Sequence, residues 1–219
     1  MILRAIRYAI ERKRAEIKVN YLARLDWLTC IPNRQYLRDE LAHATKRTLR
    51  GRRTMALLLL DIDGFAAVNA AVGRSAGDSL LREIVGRLSG CIREGDLLAR
   101  LDDDQFAALL EDVEGPLEAE GVAQKLIAAF QDTFQIGGQQ VSSTASVGIT
   151  LFPDDGPDAL GLINNAEIAM RRAKEQGGNT FRFFTPNTQE RIHSHRRLEA
   201  DLKVAIEQQH FELLYSVIT

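Results

Sequence analysis

The stretch Met55-Ala56-Leu57-Leu58-Leu59-Leu60-Asp61-Ile62-Asp63 decides how this chain folds. It is continuously apolar up to Asp61 and has the length of a buried central strand. It also delivers two carboxylates, Asp61 and Asp63, at the strand's carboxyl end, where such groups face a cleft or solvent.

The flanking segments supply what pairs with that strand and covers it. Ahead of it, Pro32-Asn33 breaks the chain, and a helix is expected from Arg34 to about Leu49, ended by the basic turn Arg50–Arg53. After it, Leu80, Leu81, Ile84, Val85 and Leu88 follow the helical period, with Gly77-Asp78 as the N-terminal boundary. Leu97–Leu101 and Phe106–Leu110 read as short strands around the polar interval Asp102-Asp103-Asp104-Gln105, a hairpin with an acidic tip. Pro116 opens another helix with Leu117, Val122, Leu126, Ile127 and Phe130 on one face. Phe134–Ile136, Gly137-Gly138 and Val141–Leu151 make a second hairpin. Ala159–Gln176 is predicted helical up to Gly177-Gly178, Thr180–Phe184 a strand, and Thr188–Gln208 a last helix leading into Phe211–Tyr215. Helices alternating with strand pairs predict an α+β layered fold, a mostly antiparallel sheet flanked by helices, of the split βαβ kind.

A length of 219 residues suits one domain with appendages, and 45% hydrophobic with 26% charged residues excludes disorder and low complexity. With 28 Lys+Arg against 30 Asp+Glu, nothing global points to a nucleic-acid groove, and no nucleic-acid partner is expected. Charge is uneven, however: residues 1–25 hold seven basic and two acidic side chains, a local +5 that leaves −7 for the rest. Within that segment Leu3, Ile6, Ile10 and Ile17 form a heptad-like seam, interrupted by Lys13 and Asn20. A signalling stalk that pairs with its copy or packs on a neighbouring domain is the expected use, with a membrane surface or RNA as the other uses of a basic helix. No apolar run approaches a membrane span and no signal peptide is read, so a cytoplasmic location is expected. Cys30 and Cys91 have no metal-ligand spacing and read as reduced, structural thiols.

Asp61 and Asp63 beside a hairpin carrying Asp104 have the chemistry of carboxylates that hold Mg²⁺ for phosphoryl or nucleotidyl transfer; solvated turn residues have the same spacing. The wider pattern is more specific. Asp26-Trp27-Leu28-Thr29-Cys30-Ile31-Pro32-Asn33-Arg34, Leu60-Asp61-Ile62-Asp63-Gly64-Phe65 with Asn69, Gly73, Gly77-Asp78, Ala99-Arg100-Leu101 and Ser146-Val147-Gly148-Ile149 occur in one order. Together they resemble the GGDEF family, the diguanylate cyclases, over about Asp26 to Phe184. The resemblance implies a polymerase-palm-like sheet and a subunit that holds GTP on Mg²⁺ and faces a second copy, so that two GTP become cyclic di-GMP. It implies Asp61 as a metal ligand assisted by the Ile62 carbonyl, Asp104 as a further metal ligand, and Asn69 and Asp78 as guanine-binding residues. Lys174 matches a phosphate-contacting lysine.

The signature that names the family is altered here. Where the family reads Gly-Gly-Asp/Glu-Glu-Phe, this chain reads Asp102-Asp103-Asp104-Gln105-Phe106. Glycines supply positive φ and close backbone approach, whereas aspartates add bulk and charge opposite a triphosphate. Gln105 replaces a carboxylate able to bind metal or accept a proton, so the remnant catalytic positions are Asp104 and Gln105. Ala66 stands where a Lys is usual, Gly178 where an Arg meets phosphate, and Cys30 where the turn usually has Gly; Arg171 stands where Tyr is common.

Arg93-Glu94-Gly95-Asp96 lies five residues before the signature, where the family's inhibitory cyclic di-GMP site lies; as plain chemistry it is equally a surface ion pair. The two ends resemble neighbours in composite proteins. Leu3–Lys13 is similar to the last helix of a receiver domain, and His195–Tyr215 to the opening of an EAL phosphodiesterase domain, stopping before any catalytic residue of one. The expected organisation is a stalk over residues 1–25, an altered GGDEF domain over 26–184, and a linker helix with the first strand of an EAL domain over 185–219. The resemblance therefore implies a regulatory module binding GTP, with Mg²⁺, or cyclic di-GMP, attached to receiver and EAL domains and able to form a homodimer. A slow cyclase and a non-binding dimerisation scaffold are the alternatives.

Overall fold

A computed structural model describes residues 24–51 and 53–185, together with 204 and 206. The chain divides into two compact units, Met1–Phe184 and Thr185–Thr219, and the described fold belongs to the first. The expected stalk helix, apart from Arg24 and Leu25, lies outside the described residues, as does the expected C-terminal helix and strand apart from Val204 and Ile206, which are helical.

The apolar stretch forms β1 (Thr54–Asp63), the middle strand of a five-stranded sheet. β1 pairs antiparallel with β3 (Gln105–Val113) on one side and with β6 (Thr144–Phe152) on the other. β2 (Leu97–Arg100) extends the β3 edge, and β7 (Phe181–Phe183) adds to β6 in parallel. The order β2-β3-β1-β6-β7 therefore matches the expected mostly antiparallel α+β sheet flanked by helices. Phe134–Ile136 (β4) and Gln139–Val141 (β5) pair only with each other, across the positive-φ pair Gly137-Gly138. The single strand expected over Val141–Leu151 is thus two strands, separated at Ser142-Ser143.

Side chains on β1 alternate faces, so Met55, Leu57, Leu59 and Asp61 share one side. That side is covered by α1 (Arg34–Gly51), through Leu37, Leu41 and Ala44, and by α5 (Ala159–Glu175), through Leu162, Ala166 and Met170. α5 lies very close to β6. A Cβ at Gly148 would sit 2.1 Å from the Ala166 carbonyl oxygen and 2.3 Å from the Met170 nitrogen, so no other residue allows this approach. Asp158 caps α5 by accepting from the Gly161 N–H at 2.8 Å.

Two expectations need correction between β1 and β2. The helix expected to start at Gly77-Asp78 begins at Arg74 as α3 (Arg74–Ser89), and a helix not read from the sequence, α2 (Phe65–Val72), precedes it. Gly73, at φ 85°, turns the chain between them. Gly77 lies inside α3 because α2 packs there: a Cβ would fall 1.8 Å from the Asn69 Oδ1. α4 (Pro116–Ala128) starts at proline as expected but buries Ala119, Ala123 and Leu126, with Phe130 just beyond its end. Leu117, Val122 and Ile127 are only half-buried, because small residues let the helix lie closer than bulky ones.

Candidate functional site

The β1–β3 register places Asp61 opposite Gln105, and the Ile62 N–H donates to the Asp104 carbonyl at 3.1 Å. Strand parity turns Asp61 toward α5, whose Lys174 forms an ion pair with Asp61 Oδ1. Gln105 Nε2 donates to Asp61 Oδ2 at 3.2 Å. Both oxygens of a carboxylate that is 4% exposed are therefore met by donors from this chain, one cationic and one neutral. A glutamate at position 105 would instead set carboxylate against carboxylate.

Asp104 is half-buried in the same corner. Burial, and then the Asp61 charge, push its carboxyl above the ordinary value of 3.8, and Lys174 offsets this only in part. A bound cation would relieve that cost. The carboxylates of Asp61 on β1 and Asp104 in the hairpin bend, with the Ile62 backbone bonded to Asp104, are hard oxygen donors of the kind Mg²⁺ takes, the remaining positions going to water or phosphate. The described residues contain no cluster of three or more His, Cys, Asp or Glu able to hold a metal without such help.

Asp63 does not join this corner, contrary to the pairing with Asp61 that the sequence suggested. Its carboxylate accepts from Thr144 Oγ1 and Ser146 Oγ at 2.7 Å each and from the Asn179 N–H at 3.0 Å. It anchors the turn after α5, where Gly178 has φ 71° and a Cβ would stand 2.9 Å from Asp63 Oδ2. The sequence carried no sign of this role, which joins residues from β1, β6 and the α5 turn.

The hairpin tip closes with no left-handed residue at Asp102, Asp103 or Asp104, so the expected backbone need for glycine there is not met in this conformation. Arginines tie the tip down instead: Arg34 pairs with the Asp102 carboxylate at 3.5 Å and donates to the Leu101 carbonyl at 3.2 Å, and Arg100 donates to the Asp103 carbonyl at 2.9 Å. Arg100, 8% exposed, also pairs with Asp26 at 2.9 Å. Burial would raise the Asp26 carboxyl, but the Thr29 hydroxyl, Arg100 and the Thr29 N–H together hold it below 3.8. Sequence reasoning quoted Asp26 and Arg100 as motif letters without finding their pairing.

A cavity of about 420 Å³ opens between these parts, lined by Asp26, Trp27, Arg34, Asp78, Arg100 and Asp102 among others. Asp78 thus faces the hairpin. Asn69 is not on that lining; its Oδ1 is buried against Gly77 without a hydrogen-bond partner.

Arg93 and Asp96 do come together, at 3.3 Å, beside a second cavity of about 300 Å³. The Arg93 guanidinium is already engaged, however, with Glu118 at 3.2 Å and with the Glu111 carbonyl. Among the described residues, no helix is long and apolar enough to cross a membrane.

The family model "Diguanylate cyclase, GGDEF domain" matches residues 23–180. A bifunctional diguanylate cyclase/cyclic di-GMP phosphodiesterase of Pseudomonas aeruginosa, MucR, is 39% identical over 92% of this chain. The cyclic di-GMP phosphodiesterase PdeR of Escherichia coli is 32% identical over 94% of it. The chain spans only 29% and 31% of those relatives' own lengths. The crystal structure of the GGDEF domain of TpbB from Pseudomonas aeruginosa is similar at 34% identity and TM-score 0.70, over 71% of this chain and 97% of that one.

Proposed function

We propose, since this chain belongs to the GGDEF family of diguanylate cyclase domains and so to cyclic di-GMP signalling, that it acts there as a regulatory nucleotide-binding module with an altered catalytic signature. The observation that carries this reading is the pairing of both Asp61 oxygens with Lys174 and Gln105. An amide at position 105 stabilises the resting carboxylate but offers no basic lone pair and no anionic metal ligand.

In this reading GTP lies in the cleft between Asp78 and the hairpin. Mg²⁺, bound with the nucleotide, would supply charge to the triphosphate and be held by Asp61, Asp104 and the Ile62 carbonyl. Lys174 leaves Asp61 for a phosphate, and Asp78 accepts hydrogen bonds from the guanine edge. The site binds without turning over, and binding biases an attached EAL phosphodiesterase, as a ligand with different affinity for two arrangements must. The phosphodiesterase and bifunctional names of the relatives support such an attachment.

A second reading places cyclic di-GMP at Arg93 and Asp96, favoured by the cavity of about 300 Å³ beside them. There Glu118 must give up Arg93 to the ligand. Calorimetric titration with GTP plus Mg²⁺, and separately with cyclic di-GMP, tests both. GTP binding lost in Asp78→Ala supports the first reading, and cyclic di-GMP binding lost in Arg93→Ala the second. Formation of cyclic di-GMP from GTP, abolished by Asp61→Ala, would overturn the regulatory assignment in favour of a slow cyclase; binding of neither nucleotide leaves a dimerisation scaffold.

A further inference from the structure

Trp27 is the single tryptophan of this chain and stands 80% exposed on the lining of the cavity that also holds Asp78. The turn presenting it is rigid. Asp26 Oδ1 accepts from the Thr29 N–H at 2.9 Å, the Thr29 hydroxyl at 2.6 Å and Arg100 Nη1 at 2.9 Å. The Asp26 N–H donates to the Ile31 carbonyl and the Cys30 N–H to the Asp26 carbonyl, both at 2.8 Å. The backbone under the indole is therefore already ordered, and covering its face costs little further entropy.

The rest of the lining names the chemistry of what would cover it. Asp78 offers a carboxylate acceptor on the same lining, where Arg34 and Arg100 are engaged by Asp102 and Asp26. A flat aromatic face and an acceptor for adjacent N–H groups on one cavity are together suited to a purine with paired edge donors, which is guanine rather than adenine. We infer that Trp27 stacks on the guanine base of the bound nucleotide and is a determinant of its affinity. This rests on the reading of the cleft as a nucleotide site.

The test separates the two. With GTP and Mg²⁺ on the full chain, heat of binding reports the nucleotide site, and tryptophan emission reports the base at Trp27. The expected result is saturable quenching with the calorimetric midpoint. Trp27→Ala should weaken binding about tenfold or more, as loss of one base–aromatic stack does. Trp27→Phe should recover most of it, and inorganic tripolyphosphate, which has no base, should leave the emission unchanged. Calorimetric binding of unchanged affinity in Trp27→Ala, with or without quenching in the parent chain, overturns the role of Trp27 while the nucleotide site stands. No heat with the parent chain overturns both.

Discussion

Cys30 has φ 58°, the left-handed region that favours glycine. Its place in the turn after Thr29 is where the family resemblance expected a glycine, and here the structure supplies the reason: the chain must reverse while the Cys30 N–H reaches the Asp26 carbonyl. A non-glycine residue in that region costs roughly 1–2 kcal/mol, part of which is regained through the stiffer unfolded chain. Cys30→Gly should therefore stabilise the domain by about 1 kcal/mol, raising the melting temperature by about 2–4 °C in a thermal melt. The neighbouring Asp26 behaves in the opposite sense. It is the partner of the buried Arg100 guanidinium, and removing one member of such a pair leaves an uncompensated charge. Asp26→Asn should cost about 3 kcal/mol in denaturant unfolding. Both residues were legible as motif letters, but the partner of Asp26 was not, because Arg100 lies 74 residues further along the chain.

At the scale of elements, α5 and its following turn position the site. Gly148 lets the helix backbone touch β6, and Ala166, Met170 and Lys174 follow one another at helical spacing, so the same approach carries Lys174 to Asp61. Gly148→Val should push α5 outward, costing about 3 kcal/mol or more by denaturant unfolding. The turn also bears on Gly178, where the family resemblance expected an arginine. An arginine at position 178 meets both a left-handed φ and the Asp63 carboxylate at its Cβ, so restoring the cation is not a local change. Gly178→Arg should lower stability by about 1–2 kcal/mol in a thermal melt. The helix α2 escaped sequence reading because Phe65–Val72 is short and its glycine boundaries read as loop. β5 and β6 merged because Ser142-Ser143 carries no strong turn signal.

At the scale of the molecule, two carboxylates among the described residues are shifted in opposite directions, and each makes stability depend on pH. The lowered Asp26 contributes stability that is present above 3.8 and lost as pH falls through its folded value. The raised Asp104 contributes stability that is present below 3.8 and lost as pH rises through its folded value. Asp104→Asn should therefore raise the melting temperature at neutral pH and remove that upper slope, while weakening stabilisation by GTP plus Mg²⁺; melts across pH with and without nucleotide check it. The sequence by itself determined the central strand, the mostly antiparallel sheet with its helices, and the family, because apolar period and turn residues are local properties of the chain. It also named Asp61, Asp104, Gln105 and Lys174, which the register and α5 bring into one corner. Only the tertiary structure decided that Asp63 serves as an anchor for Thr144, Ser146 and Asn179, that Arg93 is held by Glu118, and that Trp27 faces the cavity of Asp78. Those outcomes are set by pairings between residues tens of positions apart, and no local pattern of apolar and polar side chains encodes which donor reaches a given carboxylate first.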